Sequence, residues 1–454
     1  MQQIDFSDVQ TYEFLKISND EERAQLYEQT RKAAIHQEQE ETFNRMIASF
    51  LVYECSSKGK PYKIWENLNK LYINKNIILK YNELKRQIES NTKWYVYDDF
   101  ITQINSMCTR TGLYLTKDHI WGFTAYIANQ KAYNPVKKYL EKAYKKFKAT
   151  KGADELRKLL DTITYAEHYS LEDRLFNEKM IIKWLISGVK MGMNDGSFNA
   201  EFTIVFKGKQ GIGKTRWFRA LMPKEFLVDF FKDGVQLDLS SKDSVIQATS
   251  YWLCELGELG GTMRKSDRDA LKAWLTSTHD EFRMPYSRKA EKFPRRTFFA
   301  STVNDDEFLR DDTGNRRFIV IDVEALNHTH NIDVDLLWGQ IVAMYLKGEN
   351  THLNEEEIKL NNDRNKVYFV KSDEQLIIED ILPLNQPKEK WGYITSTALC
   401  NYLEEKHGKK LSPQRVGRAL TSMGFEQEFT RLKKEKNKSR YYKLPFVEGY
   451  SIPF

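Results

Sequence analysis

Apolar and polar positions change rhythm several times along the 454 residues. Residues 1–50 are polar and rich in Glu, Gln and Arg, a composition that reads as solvated helix. Aromatic and charged residues mix through 50–130, with helical stretches around 82–89 and 97–108. Asn134-Pro135 then breaks the chain. Beyond it Val136, Tyr139, Leu140, Ala143, Tyr144 and Phe147 recur at helical spacing, with lysines on the opposite face. That lysine face is either a solvated surface or a contact for DNA. A second long helix is predicted over 171–191. From 202 to 323 the pattern becomes an alternation. Apolar runs at 202–206, 251–256, 297–303 and 318–323 read as strands, and the stretches between them read as helices. Such alternation predicts a three-layer α/β sheet whose ligands sit at the carboxyl ends of the strands.

The last segment has a different pattern. Residues 371–454 read as a winged helix-turn-helix: a helix over 396–405, a turn at His407-Gly408, then a second helix. Ser412 is a suitable N-cap, Pro413 fits the first helical position, and Gly424 stops the helix after Met423. Leu411, Val416, Ala419, Leu420 and Met423 are predicted to face inward, and Gln414, Arg415, Arg418 and Thr421 outward. Strands over 425–432 and 440–444 would flank a basic wing carrying Lys433, Lys434, Lys436 and Lys438. The outward helix residues suit a DNA major groove and the wing lysines suit phosphates. Docking onto another protein is the alternative use of such a module.

Charge supports the DNA reading. Residues 401–454 hold 12 Lys+Arg against 6 Asp+Glu, which equals the net charge of the whole chain, +6. A basic module on a neutral body is an electrostatic footprint of nucleic-acid binding. No apolar run reaches membrane-spanning length, since 180–193 is interrupted by Lys183 and Lys190. The first residues lack a basic-then-apolar leader pattern. Cys55, Cys108, Cys254 and Cys400 lie far apart, which argues against a zinc site or disulfide framework and for a reducing, cytoplasmic setting. No membrane partner is expected.

Chemistry enters at residues 208–215, Gly-Lys-Gln-Gly-Ile-Gly-Lys-Thr, a complete G-x-x-x-x-G-K-[ST] phosphate-binding loop. Gly208, Gly211 and Gly213 let the backbone turn and aim N–H groups at phosphate oxygens; Lys214 reaches the β/γ-phosphates and Thr215 holds Mg²⁺. A predicted strand precedes the loop and a breaker-free run, 215–221, follows, so a helix N-terminus faces the phosphates. ATP and Mg²⁺ are therefore the expected ligands.

Further candidates lie downstream. The strand at 251–256 ends in Glu255 and Glu258. One acid would hold the metal, with Glu255 the candidate ligand, and the other would orient or deprotonate the attacking water; the Glu-x-x-Glu spacing leaves the division open. Asn304 ends the next strand and is placed to sense the γ-phosphate or the water. Arg316 and Arg317 abut a strand start, where either reaches the γ-phosphate of a neighbouring subunit or pairs with Asp311 or Asp312 within the fold. Between acid strand and Asn304, Pro285 and Pro294 bracket a basic turn. It reads as a hairpin putting Arg288 and Lys289 on a DNA backbone in a channel, or as a surface loop.

In order and identity these residues resemble the virulence-associated E family of phage- and island-encoded proteins, which is similar to superfamily 3 and other AAA+ helicases. The resemblance rests on the 208–215 loop, Glu255-x-x-Glu258, Arg283-x-Pro285-Tyr286, Arg295-Arg296, Asn304 and the run 308–318 ending Gly314-Asn315-Arg316-Arg317-Phe318, and spans about residues 130–325. It implies an α/β P-loop NTPase core, AAA+-like, in a homohexameric ring with ATP sites between subunits and single-stranded DNA in the channel. It also implies replication of a mobile element in a bacterial host. Many relatives carry a primase domain in front; here Asp98-Asp99 is an isolated acidic pair, so priming is expected from another protein. The expected organisation is a mostly helical region (1–130), a helical lead-in (131–195), the ATPase core (196–330), a helical linker or lid (331–370) and the winged-helix domain (371–454). The expected activity is ATP-dependent DNA unwinding; the alternative is a DNA-binding ATPase switch or defence NTPase that does not unwind.

Overall fold

The computed structural model describes residues 60, 62–92, 97–150, 152–257, 265–283, 289–304, 315–368, 371–430, 438–445, 447 and 451. The chain divides into two compact units between Lys142 and Ala143.

In the first unit, α1 (Trp65–Asn74), α2 (Tyr97–Arg110) and α3 (Lys117–Asn129) accompany a small sheet of β1 (Leu79–Asn82), β2 (Gln87–Ser90) and β3 (Ala132–Tyr133), in the order β2-β1-β3. Leu68, Leu71, Ile104, Cys108 and Ile120 form its core. The helix expected over 82–89 is an antiparallel hairpin, Leu79 pairing with Ser90 and Asn82 with Gln87. Leu84 and Ile88 are four apart, which suits a helix as well as a strand pair. Asn82 decides it: its Oδ1 accepts from the N–H groups of Leu84 and Lys85 and closes a turn. Arg86 completes the turn at φ 56°.

Helix α4 (Pro135–Ala149) spans the division. Val136, Tyr139, Leu140 and Ala143 are buried and Lys137, Lys138, Lys142, Lys145 and Lys148 exposed, as the spacing predicts. Lys146 pairs with Asp333 at 2.8 Å and Asp335 at 3.2 Å.

The second unit is α/β with a mostly parallel six-stranded sheet. Its strands are β4 (Ile163–Tyr165), β5 (Thr203–Lys207), β6 (Phe231–Val235), β7 (Leu253–Gly257), β10 (Phe298–Val303) and β11 (Phe318–Leu326), in the order β4-β11-β5-β10-β7-β6. Only β4 runs antiparallel, on the part of β11 that extends past β5. β5, β7, β10 and β11 coincide with the four apolar runs at 202–206, 251–256, 297–303 and 318–323. The short β4 and the mixed Phe-Lys-Asp-Gly-Val of β6 were not predicted.

Four fully buried tryptophans tie helices to one face of this sheet. Trp184 in α6 (Leu171–Gly192) donates to Phe299 O, and Trp252 donates back to Gly188 O of α6. Trp217 in α7 (Lys214–Ala220) donates to Thr162 Oγ1, and Trp338 in α11 (Val334–Leu346) to Leu221 O. Each buries a large ring while keeping its N–H satisfied. Gly188 permits the close approach of α6, since a Cβ there would stand 2.9 Å from the Phe298 ring. On the other face Val205, Cys254, Phe299 and Val320 pack with Ala248 of α9 (Lys242–Ala248) and Leu271 and Leu275 of α10 (Lys265–Leu275). A single turn, α8 (Leu227–Phe230), leads into β6. Helix α5 (Glu155–Leu160) precedes β4, and α12 (Glu355–Asn365) follows α11.

After α13 (Asp373–Ile381), the chain forms α14 (Ser396–His407), α15 (Pro413–Ser422) and a three-stranded antiparallel sheet. Its strands are β12 (Trp391–Ile394), β13 (Gln427–Thr430) and β14 (Ser439–Pro445), in the order β12-β14-β13. Val416, Ala419 and Leu420 are buried and Gln414, Arg415, Arg418 and Thr421 exposed, as predicted. Pro413 opens α15, but the Ser412 side chain makes no capping hydrogen bond. No helix among the described residues is long and apolar enough to cross a membrane.

Candidate functional site

Residues 208–213 connect β5 to α7 at the carboxyl edge of the sheet, and Lys214 and Thr215 open α7. Gly208 has no room for a side chain: a Cβ would stand 2.3 Å from Val323 O. Gly213 sits at φ 91°, a left-handed conformation that L side chains rarely adopt, and begins α7 as its N-cap.

Lys214 is only 7% exposed, and its ammonium turns back into the loop. It donates to Gly208 O at 2.5 Å, Lys209 O at 2.9 Å and Asn304 Oδ1 at 2.8 Å. Burial lowers its pKa from the ordinary lysine value, and the Glu255 carboxylate opposes that shift. Asn304 follows β10, the strand lying between β5 and β7, so strand order itself delivers the amide to the lysine.

Glu255 is 2% exposed within β7. Its Oε1 accepts from Thr215 Oγ1 and from Thr302 Oγ1, each at 2.8 Å, and Gly234 N–H lies 3.3 Å from Oε2. Thr302 was not predicted. Its signal is a hydroxyl in an apolar strand, two residues before Asn304 and therefore on the same face. Lys214, Thr215, Glu255 and Asn304 thus come together from three adjacent parallel strands. Oxygen donors from a hydroxyl and a buried carboxylate suit a hard divalent cation.

The arginines do not join this group. Asn315–Arg317 form a 3-10 turn before β11, with Phe318 beside Thr203, at the opposite edge of the sheet from the loop. Five residues of parallel strand, about 16 Å, separate the two edges. Asn361 and Asn365 of α12 both donate to Phe318 O, at 3.1 and 3.0 Å, and fix the turn's exit. Arg316 is exposed. Arg317 is half-buried, its Nε is buried without a partner, and burial together with Arg316 lowers its pKa from the usual guanidinium value. Asp311 and Asp312, their candidate partners within the fold, lie outside the described residues.

The basic turn is flanked by an antiparallel pair, β8 (His279–Phe282) and β9 (Glu291–Pro294). Lys289 is exposed; Arg288 lies outside the described residues. Arg295, next to β9, is fully buried: its guanidinium forks onto Asp280, donates to Trp274 O and lies 4.2 Å from the Trp274 ring. In the C-terminal module, Arg415 stands 3.8 Å from Glu374, and Lys438 lies over the Phe429 ring at 6.0 Å. Glu258, Lys433, Lys434 and Lys436 lie outside the described residues.

A family model for the virulence-associated protein E-like domain matches residues 145–370, the stretch that holds the whole six-stranded sheet and its loop. Residues 145–370 are a virulence-associated protein E-like domain. The apo structure of the NrS-1 C terminal region is similar over 84% of this chain and 98% of that one, at 13% identity and a TM-score of 0.43. Its A form is similar over 83% and 98%, at 12% identity and a TM-score of 0.42. No curated protein matches the sequence. Within the virulence-associated E-like domain, the described polar groups at the carboxyl edge of β5, β10 and β7 are the densest candidate for chemistry.

Proposed function

We propose that this chain is an ATP-dependent DNA helicase serving replication of a phage or mobile genetic island, acting as a homohexameric ring. One observation carries the reading: Lys214 bonded to Asn304, and Thr215 to Glu255, at the carboxyl ends of three adjacent parallel strands. The loop N–H groups, the start of α7 and the Lys214 ammonium take the phosphates of ATP. A bound Mg²⁺ would neutralise β/γ-phosphate charge, held by Thr215 and Glu255. Asn304, released from Lys214, turns its amide to the γ-phosphate or the attacking water. Glu255 and Glu258 share metal binding and water activation.

The distance of Arg316 and Arg317 from the loop of their own chain supports supply in trans, to ATP bound on a neighbouring subunit. The β8–β9 hairpin, with Lys289 and Arg288, serves single-stranded DNA in the channel. The C-terminal module reads as a winged helix, with Gln414, Arg415 and Arg418 on duplex DNA and the wing lysines on phosphates. A separate primase supplies primers.

Strand displacement on a forked duplex tests the reading. The intact protein is expected to displace a strand with ATP and Mg²⁺, and Lys214→Ala to abolish both hydrolysis and displacement. Full displacement by Lys214→Ala would overturn it. DNA-stimulated hydrolysis without displacement by the intact protein would instead identify a DNA-binding ATPase switch.

A further inference from the structure

The sheet gives the proposed nucleotide a direction. Glu255 and Asn304, the groups assigned to the γ-phosphate end, stand on β7 and β10, to one side of β5. A triphosphate lying along the loop therefore points its nucleoside toward the other side of β5, where β11 runs. β11 overshoots β5: Asp322 pairs with Lys207, the last residue of β5, and the strand continues to Leu326 at the level of the loop. The turn that follows carries His328 and His330. Asn327 N–H bonds Thr162 O at 2.9 Å, and Thr162 Oγ1 in turn accepts from Trp217 of α7 at 2.7 Å, so this turn is pinned beside the first turns of α7.

Two observations single these histidines out. The His328 ring lies directly on the loop: a Cβ at Gly213 would stand 2.4 Å from its Cδ2. His330 has both ring nitrogens buried without a hydrogen-bond partner. A buried polar atom without a side-chain or backbone partner at hydrogen-bond distance is a poor structural choice unless a ligand completes it. Burial lowers the His330 pKa, an interaction with its own backbone opposes that shift, and the nearby His328 lowers it further; the neutral ring offers one donor and one acceptor.

Resting on the nucleotide reading above, we infer that His328 and His330 hold the base end of the nucleotide. The His328 ring supplies a flat wall beside Gly213, and His330 bonds the polar edge of a purine. This assigns to the turn after β11 the choice of base, and leaves the loop to bind phosphate alone.

The test compares ATP with inorganic tripolyphosphate, which has the same phosphate chain and no nucleoside. Binding of each to the full-length protein in Mg²⁺ is measured by calorimetry, for the unaltered protein, His328→Ala, His330→Ala and His330→Asn, with thermal unfolding as a control for folding. Each alanine variant is expected to bind ATP about ten-fold more weakly, through a lost stacking wall at His328 and lost hydrogen bonds at His330, with tripolyphosphate unchanged. His330→Asn, which keeps a donor and an acceptor, should recover part of the loss. ATP affinity unchanged in both alanine variants, or lowered equally for both ligands, would overturn the inference. An unaltered protein that binds tripolyphosphate as tightly as ATP overturns it while sparing the phosphate-loop reading. If neither ligand binds, both fall.

Discussion

Lys214 Nζ donates to Asn304 Oδ1 at 2.8 Å, joining residues 90 positions apart in the chain. On the proposed nucleotide reading, the amide occupies a donor that a γ-phosphate would take, and phosphate binding would free it. With the two side chains joined by one hydrogen bond, the proposed phosphate-binding and sensing roles are separable by substitution.

Lys214→Ala is expected to abolish measurable ATP binding by removing the ammonium that the loop carbonyls and Asn304 hold in place. Asn304→Ala is expected to keep ATP affinity within a few-fold while turnover falls about 10²–10³-fold, the scale of one lost donor to transition-state charge. Calorimetric binding alongside steady-state hydrolysis separates the two. Equal loss of binding in both variants would assign Asn304 a structural role.

Arg418→Ala and Lys438→Ala should each weaken binding to duplex DNA at moderate salt and leave DNA-free hydrolysis unchanged. If each loses one phosphate contact, the slope of log affinity against log salt flattens by about 0.9. Fluorescence anisotropy across a salt series reads that slope; an unchanged slope and affinity would point to protein docking by this module instead.

Glu357, 5% exposed, clamps α12 to α6 through Lys183 at 2.6 Å and Lys179 at 2.7 Å. Burial opposes its charge, but the two ammoniums and the Asn354 N–H more than offset that and hold the carboxyl below its ordinary range. A carboxylate with a depressed folded pKa adds stability above its unfolded value, about 4.3, and loses it as pH falls through the folded value. Glu357→Gln is expected to cost about 3 kcal/mol at pH 7, because Lys183 is left buried. Urea midpoints should show that deficit holding at neutral pH and shrinking in acid. A deficit that grows on acidification would refute the assignment.

Cys108, Cys254 and Cys400 are free and buried. Burial pushes the Cys108 thiol up to about 12 and raises Cys254 and Cys400 as well, so thiolate is scarce at pH 8. Iodoacetamide at pH 8 followed by peptide mapping should leave all three unlabelled in the native protein and label them in urea.

The sheet core was legible because each of its four central strands carries a buried, largely apolar run. Phe-Phe-Ala-Ser-Thr-Val followed by Asn304 is the clearest case. β4 has three residues and β6 mixes Lys, Asp and Gly with apolar positions, because both stand at sheet edges where one side lacks a strand. The 82–89 hairpin was misread because its turn uses Arg86 in a conformation that usually marks glycine or asparagine. The distance between Arg316 and the loop depends on which strand neighbours which, and strand order is not written in local pattern. His328 carries no sequence signal: a lone histidine after a strand reads as solvated turn until Gly213 is found against it.

Arg295 bears on how the β8–β9 hairpin can move. Its guanidinium grips Asp280 on one strand and Trp274 O at the end of α10, while its own carbonyl accepts from Asn194, just beyond α6. A ribbon riveted at its root to two helices behaves as a rigid lever. The paired residues of β8 and β9 are thereby coupled at their root to α10, so a shift of α10 displaces the strand pair with it.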